Sequence, residues 1–589
     1  MWELILEPRK NDPQDDLKGG QFMPVEPAEP ATDTAAAAER PSRRAALRWG
    51  TGLGLAVAGA GPALAGCSSA HARGSAAGAS APSSADGTPG AGPGGAASTR
   101  GTAAAAASGP STADWNALAR ELPSGALVRP GDRRYSSASH LFQPQFDGIH
   151  PSGVAYVRST HDVAACIGFA RRFRLPIAAR CGGHSYAGWS GSTGLVVDVS
   201  ALNGISARSG EAVIGAGARL IDVYTGLAAH GATIPAGSCP TVGVTGLTLG
   251  GGVGVTGRAY GLTCDSLTSA EIVTADGRVR TASASAEPDL FWALRGGGGG
   301  NFGIVTSLGF RTHPAESCSY AFLNWPWSRA AAVVEGWQRW APSAPDALWA
   351  NLHLACSEKG VLSVSVGANL LGGSTTELEN HLTSLVRDVG AEPSSRVVNS
   401  RPYLATMQVM GGVLGWSEAQ AHLPGGLPGQ NPAGRVVRQS YAARSDVFTR
   451  TLPTAGAKAL AAAVERYARS GAVAAGGSAA VAFDVLGGAI GRVRAQDTAF
   501  VHRNGLFIAQ YIANYPSRLN GSVVSRSHAW LDGTWSAMRP YASGQAYQNY
   551  LDPRLAKWRQ AYYGANAARL ATVKHQYDPG RLFTFPQAI

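Results

Sequence analysis

From Pro151 onward, short apolar runs alternate with amphipathic stretches. Residues 154–157 read as a strand, and 160–174 as a helix with Thr160 as its N-cap. Residues 176–180 and 195–199 are further strands, followed by 212–214, 271–274, 279–281 and 303–310. Asp276-Gly277 marks a hairpin turn between two of them. Before this block, 114–121 reads as a short helix with Trp115, Leu118 and Ala119 on one face. After about His313 the pattern changes. Helical runs at 330–339, 376–389 and 457–470 alternate with strands such as 361–366, 479–486 and 506–511. That alternation predicts an antiparallel sheet backed by helices, so the class is α+β. No internal repeat is visible.

The first 111 residues do not follow this pattern. Ser42-Arg43-Arg44-Ala45-Ala46-Leu47 precedes a Gly/Ala-rich apolar stretch at 49–65. It is short for a permanent span and suits the apolar region of an export signal. The paired arginines resemble a twin-arginine signal, with Ala46 where that pattern usually has Phe. Leu64-Ala65-Gly66-Cys67 resembles a lipobox, which would make Cys67 a lipidated first residue. An uncleaved anchor helix is the alternative. Residues 68–111 are almost entirely Ala, Gly, Ser, Pro and Thr, a composition that reads as a tether. The expected location is the outer face of the cell membrane, anchored at Cys67, or the medium. The twin-arginine route carries folded proteins, often with a cofactor in place.

Composition narrows the function classes. Apolar residues are 45% of 589, enough for a large core, and charged residues are only 15%. The net charge is +11, with 44 Arg and 6 Lys spread along the chain and no basic run longer than a pair. Nucleic-acid binding is therefore not expected. Seven Cys without a CxxC pair or zinc spacing argue against a metal site or a disulfide framework. Gly is abundant, 76 residues, and its clustering carries the chemical signal.

Four Gly-rich segments lie close together: 180–186 (RCGGHSY), 237–243 (GSCPTVG), 246–257, and 295–303, which holds five consecutive glycines. Glycine lets backbone N–H groups approach an anion closely. Several such loops suit a large phosphate-bearing ligand. Gly252-Val253-Gly254-Val255-Thr256-Gly257 matches the dinucleotide fingerprint, with Asp276 at the usual distance. No strand leads into it, however, and Gly261 interrupts any following helix. Gly183-His184-Ser185-Tyr186-Ala187-Gly188 misses the hydrolase nucleophile elbow by one position.

These motifs resemble the vanillyl-alcohol-oxidase superfamily with its PCMH-type FAD-binding domain, and within it the berberine-bridge-enzyme-like oxidoreductases. The C-terminus agrees: Ala546-Tyr547-Gln548-Asn549-Tyr550-Leu551-Asp552, then Tyr562-Tyr563-Gly564, then Lys574 through Tyr577-Asp578-Pro579 to Phe583. The resemblance implies a two-part FAD-binding domain, residues 112–313 and 540–589, with an inserted substrate domain at 314–539, behind a signal at 1–67 and a linker at 68–111. It implies bicovalent FAD, with His184 bonded at the 8α-methyl and Cys239 at C6. The remaining cofactor residues implied are Arg180, Gly182, Gly183, Ser185 and Tyr186; Val242, Gly243, Gly246, Gly251 and Gly252; Gly298, Gly299, Asn301 and Gly303; and Asn549. Cys264 reads as packing.

The activity implied is oxidation of an alcohol-type small molecule by hydride transfer to flavin N5. Tyr550 is the implied base, Tyr547 stands beside it, and Gln510 orients the substrate. A phenol with a reference pKa near ~10 must be lowered by about 2–3 units to serve. Relatives often place Lys two residues before the glutamine, where this chain has Ile508. Val242, three residues after Cys239, resembles the small residue of oxidases, so oxygen is the expected acceptor and hydrogen peroxide the product. A dehydrogenase with another acceptor, or a binding lipoprotein, are the alternatives. Trp325, Trp327, Trp337, Trp340, Trp349 and Trp416 read mostly as core.

Overall fold

The computed structural model describes residues 109–516 and 521–589. The proposed signal, Cys67 and the linker up to residue 108 lie outside the described residues. Among the described residues, no helix is long and apolar enough to cross a membrane.

Two small sheets make the first part. Leu127–Val128, Gly153–Tyr156, Leu195–Asp198 and Ile177–Arg180 lie side by side in that order, and the last three run parallel. The helix Thr160–Phe173 links Gly153–Tyr156 to Ile177–Arg180. Every residue of Gly153–Tyr156 and Leu195–Asp198 is buried, as expected for parallel strands covered on both faces. The cap of that helix is Ser159 rather than Thr160. Ser159 is extended, and its Oγ accepts from the Asp162 N–H at 3.2 Å, whereas Thr160 is already helical. In the helix Thr112–Glu121, Trp115 and Leu118 are buried but Ala119 faces solvent, a further step round the helix from Leu118. The second sheet has five antiparallel strands, and Asp276-Gly277 turns between Leu267–Val273 and Val279–Ser283.

The second part is a seven-stranded antiparallel sheet. Its order is Ser395–Arg401, Cys318–Trp325, Leu362–Leu371, Leu348–Cys356, Ser478–Val485, Phe507–Tyr515, Ser440–Phe448. Alternation gives it two unlike faces. Leu352, Leu354, Val481, Phe483, Ala509 and Tyr511 pack toward the helices Ala330–Ser343, Thr454–Ala468 and Gly521–Met538. Trp349, Asn351, His353, Asp484 and Gln510 share the opposite face. Strand register sets Asn351 beside Asp484, Asp484 beside Ile508, and Ala482 beside Gln510.

After the helix Gly521–Met538 the chain returns to the first part. Gln548 Nε2 donates to the Gly296 carbonyl at 2.6 Å. The buried Lys574 Nζ donates to the Asn301 carbonyl at 2.5 Å and pairs with Asp578 at 2.7 Å. The last residues therefore close the same loops that the first part supplies.

Candidate active site

The glycine loops and the polar face of the large sheet enclose one cavity of about 560 Å³. Of the sequence-derived residues, Arg180, Gly182, Gly183, His184, Ser185 and Tyr186 line it, as do Cys239, Val242, Gly243 and Gly246. So do Gly298, Gly299, Asn301, Gly303, Gln510, Tyr547, Asn549 and Tyr550. Gly251 and Gly252 do not. They stand one layer behind, Gly251 against the Phe500 ring and Gly252 against Thr263.

The loops are held by close backbone approach. A Cβ at Gly182 would lie 2.5 Å from the Gly243 nitrogen, and one at Gly243 would lie 2.1 Å from the Cys181 Sγ. No side chain fits at either place. His184 sits on this base with its ring stacked on Phe142, centroids 3.9 Å apart. Its Nε2 bonds the Thr241 hydroxyl at 2.9 Å, so Nδ1 is the nitrogen left for another partner. Burial, helped by the Arg219 charge, holds the imidazole down at about 3, so it is neutral at any working pH. Cys239 lies in the segment that carries Thr241, and thus one histidine and one thiol face the same space. Arg180 is buried and bonds Asp198 at 2.5 Å and the Ala138 carbonyl at 2.7 Å, while its Nη1 has no partner. Cys264 is buried outside the cavity and packs with Leu262, Phe500 and Tyr547.

At the sheet end, aromatic rings form a cluster. Tyr186 stacks on Tyr550 with centroids 5.5 Å apart, and its hydroxyl accepts from Gln510 Nε2 at 2.8 Å. Tyr547 has a different task. Its phenol oxygen accepts from the Gly252 and Val253 N–H groups at 3.1 and 3.2 Å and from Asn549 Nδ2 at 3.0 Å. Asn549 also donates to the Leu247 carbonyl at 2.9 Å, and its amide fills the space where a Gly250 side chain would be. Tyr547 and Asn549 thus tie the returning segment to the glycine loop and hold Tyr550 in place.

One expectation about Tyr550 is reversed. Its phenol pKa is pushed well above the usual value, not lowered. Burial is the main cause, and the neighbouring Asp484, Tyr186 and Tyr547 add to it. Ile508 supplies no cation to oppose this. Asp484 is the residue that sequence reasoning missed. It lines the cavity, makes no hydrogen bond or ion pair among the described residues, and burial raises it to about 6. The available signal was a lone carboxylate in the apolar run Ser478–Val485. Trp349, Asn351 and His353 line the same wall. Trp325, Trp337, Trp340 and Trp349 are buried as core, with Trp327 and Trp416 partly so.

The residues fit FAD. The loops offer a long backbone-lined cradle, closed to side chains at Gly182 and Gly243 and open toward the cavity at Gly246 and Gly299, where a Cβ would stand in the space left for a ligand, with a neutral imidazole and a thiol on one side and a buried Arg180 N–H without a partner. Comparison with known proteins agrees. Residues 151–283 match a family model described as FAD binding domain, and 546–589 match one described as berberine and berberine like. An uncharacterised FAD-linked oxidoreductase of Bacillus subtilis is 32% identical over 472 residues, 79% of this chain and 96% of that one. A chitooligosaccharide oxidase of Gibberella zeae is 30% identical over 468 residues, 75% of this chain and 87% of its own. The solved Physcomitrella patens BBE-like 1 superposes with a TM-score of 0.71 at 29% identity, covering 81% of this chain and 98% of that one. With cradle, closing segment and sequence in agreement, this chain belongs to the berberine-bridge-like family of FAD-linked oxidoreductases.

Proposed function

We propose that this protein is an exported sugar oxidase that holds FAD through both His184 and Cys239 and reduces oxygen to hydrogen peroxide. The observation that carries it is the single cavity in which His184 and Cys239 face the Asp484–Tyr550–Gln510 wall. Bound there, FAD would accept a hydride at N5 and pass both electrons to oxygen. The overall reaction balances: an alcohol and oxygen give a carbonyl compound and hydrogen peroxide, with the hydroxyl proton borrowed by the protein and returned.

The wall chemistry favours an uncharged, hydroxyl-rich substrate. Besides the charged Asp484, the sheet face presents Asn351, His353 and Gln510, with Trp349 and Met410 as apolar contacts. Among the described residues no Lys or Arg of this sheet lines the cavity to pair with an acid or a phosphate. Relatives include the chitooligosaccharide oxidase and a carbohydrate oxidase of Microdochium nivale, 29% identical over 485 residues. For the proton, Asp484 is the better final acceptor. Tyr550 would take the substrate's hydroxyl proton, and Asp484, near enough to act on the phenol by its charge but not hydrogen-bonded to it, would receive a proton through the substrate or a bridging water. Gln510 keeps Tyr186 in place beside them. Val242 at the cavity wall leaves space for oxygen.

Each attachment bond replaces one C–H of the flavin and one N–H or S–H of the protein, and the two hydrogens reduce one oxygen to hydrogen peroxide. The test is acid precipitation of the purified protein. Flavin should stay with the pellet in wild type, in His184→Ala and in Cys239→Ala, and be released only from the double variant. Release of all flavin from wild type would end the covalent reading. A sugar panel scored by peroxide release tests the substrate class.

A further inference from the structure

Arg219 is buried at 6% exposure and makes no ion pair among the described residues. A buried guanidinium is costly, and this one has no carboxylate in direct contact; the Asp222 carboxylate, which accepts the Arg219 backbone N–H at 3.0 Å, meets its charge only from a distance, so its place calls for a reason. Its surroundings supply one. The main chain at Arg219 bridges Gly243. The next two N–H groups, of Leu220 and Ile221, donate to the Val242 and Pro240 carbonyls at 3.0 and 3.1 Å. The backbone here is therefore bound to the segment that carries Cys239.

The side chain reaches the other loop. Nη1 donates to the Gly217 carbonyl at 2.7 Å and lies 3.6 Å from the Cys181 Sγ. Nη2 donates to the Ser200 hydroxyl at 2.9 Å, and that hydroxyl donates to the Cys181 carbonyl at 3.3 Å. Cys181 opens the loop that carries His184. Gly429 covers the guanidinium from outside, where a Cβ would lie 2.0 Å from Nη2.

We propose that Arg219 is the positioning residue of the double attachment: it fixes the His184 loop against the Cys239 loop so that one flavin reaches both. Its charge has a second effect, since it helps keep the His184 imidazole neutral, the form that bonds carbon. This rests on the reading of His184 and Cys239 as attachment residues.

The test counts cross-linked peptides. After proteolysis of the loaded enzyme, a flavin bonded at both sites joins the His184 and Cys239 peptides into one mass. Wild type should give it in high yield; its absence there would refute the attachment reading itself and not the role of Arg219. Arg219→Met keeps bulk but loses the hydrogen bonds and charge, and its cross-linked fraction should fall at least five-fold in favour of singly attached flavin. Arg219→Lys keeps the charge and part of the bonding, and should give an intermediate yield. Ser200→Ala, a smaller change that removes one anchor, should lower the yield about two-fold and serves if the methionine variant does not fold. Wild-type yield in both Arg219→Met and Ser200→Ala would overturn the proposal, as would wild-type yield in Ser200→Ala alone if the methionine variant fails to fold. A lysine variant no better than the methionine variant would overturn it too.

Discussion

In the proposed mechanism Asp484 and Tyr550 would share the proton work, and their environments predict different mutant behaviour. Asp484 is raised to about 6 by burial. The reductive half-reaction should therefore rise with pH through about 6 and level off above it, because the carboxylate must be ionised to accept the proton. Asp484→Asn should remove that rise and slow anaerobic reduction by roughly 10²–10⁴-fold, the usual worth of a positioned base. The same change should not weaken the fold. A carboxylate whose folded pKa lies above its unfolded value costs stability once ionised, so stability falls as pH climbs between about 4 and 6, and asparagine escapes this cost. Equal or higher melting temperature at pH 7 with slow reduction would separate chemistry from folding. Tyr550→Phe should also slow reduction while leaving reoxidation by oxygen unchanged. Wild-type reduction rates in either variant would move the role elsewhere. Val242→Leu should do the reverse, slowing reoxidation and sparing reduction; equal reoxidation rates would remove the reason for naming oxygen as acceptor.

At the scale of elements, legibility followed how local the signal was. The strands of the first part are short apolar runs between glycines and prolines, and most of those expected fall within a residue or two of the pattern; Leu267–Val273 begins four residues before the expected 271, and the half-exposed Ile205–Arg208 gave no signal. In the large sheet, Cys318–Trp325, Leu348–Cys356 and Ser440–Phe448 gave no clean signal. Polar residues break the apolar runs: His353 and Asn351 interrupt one strand on its cavity face, while Arg444 and Asp446 interrupt another on its helix face, where the Tyr511 hydroxyl donates to Asp446 at 3.1 Å. Arg444 is balanced by Asp532 and Asp552 at 2.8 Å each, which only the folded chain brings together. Asp484 was hidden for the same reason: its meaning depends on which face of Ser478–Val485 meets the cavity. The glycine loops, by contrast, were legible, because close backbone approach leaves a mark in sequence that needs no partner to read. Gly243→Ala tests that claim. The new methyl meets both Cys181 Sγ and the Gly182 backbone, so the loop must move, and covalent flavin should drop several-fold. Adding Cys181→Ala should not restore it, because the Gly182 backbone nitrogen at 2.6 Å still stands in the way. Full rescue by the double change would show that the thiol alone, not the backbone, sets the spacing.

For the whole molecule, the order of assembly bears on location. The cavity is closed by the last residues of the chain: Tyr547 on Gly252 and Val253, Gln548 on Gly296, and Lys574 on Asn301. A cofactor cradle of this kind is complete only when the entire chain is made and folded. Export as a folded, loaded protein is what a twin-arginine route provides, and such a route would suit this cradle if the Arg43-Arg44 pair is an export signal as proposed. Arg43→Lys with Arg44→Lys should leave the protein in the cytoplasm with its flavin bound, since the residues that line the cavity all lie between 176 and 587. Cys67→Ala should let export proceed and release the protein from the membrane. Among the described residues no helix can span a membrane, and the Ala/Gly/Ser-rich sequence after Cys67 has no apolar face to hold it there. A single acyl chain binds only marginally, so the dually or triply acylated cysteine of a lipoprotein is what would keep the wild type attached. The measurement is fractionation of cells into membrane, cytoplasm and medium, followed by flavin fluorescence on a denaturing gel. Cys67→Ala protein that stays with the membrane would point to the apolar stretch at 49–65 as an uncleaved anchor, and protein exported without flavin would break the link between folding and route.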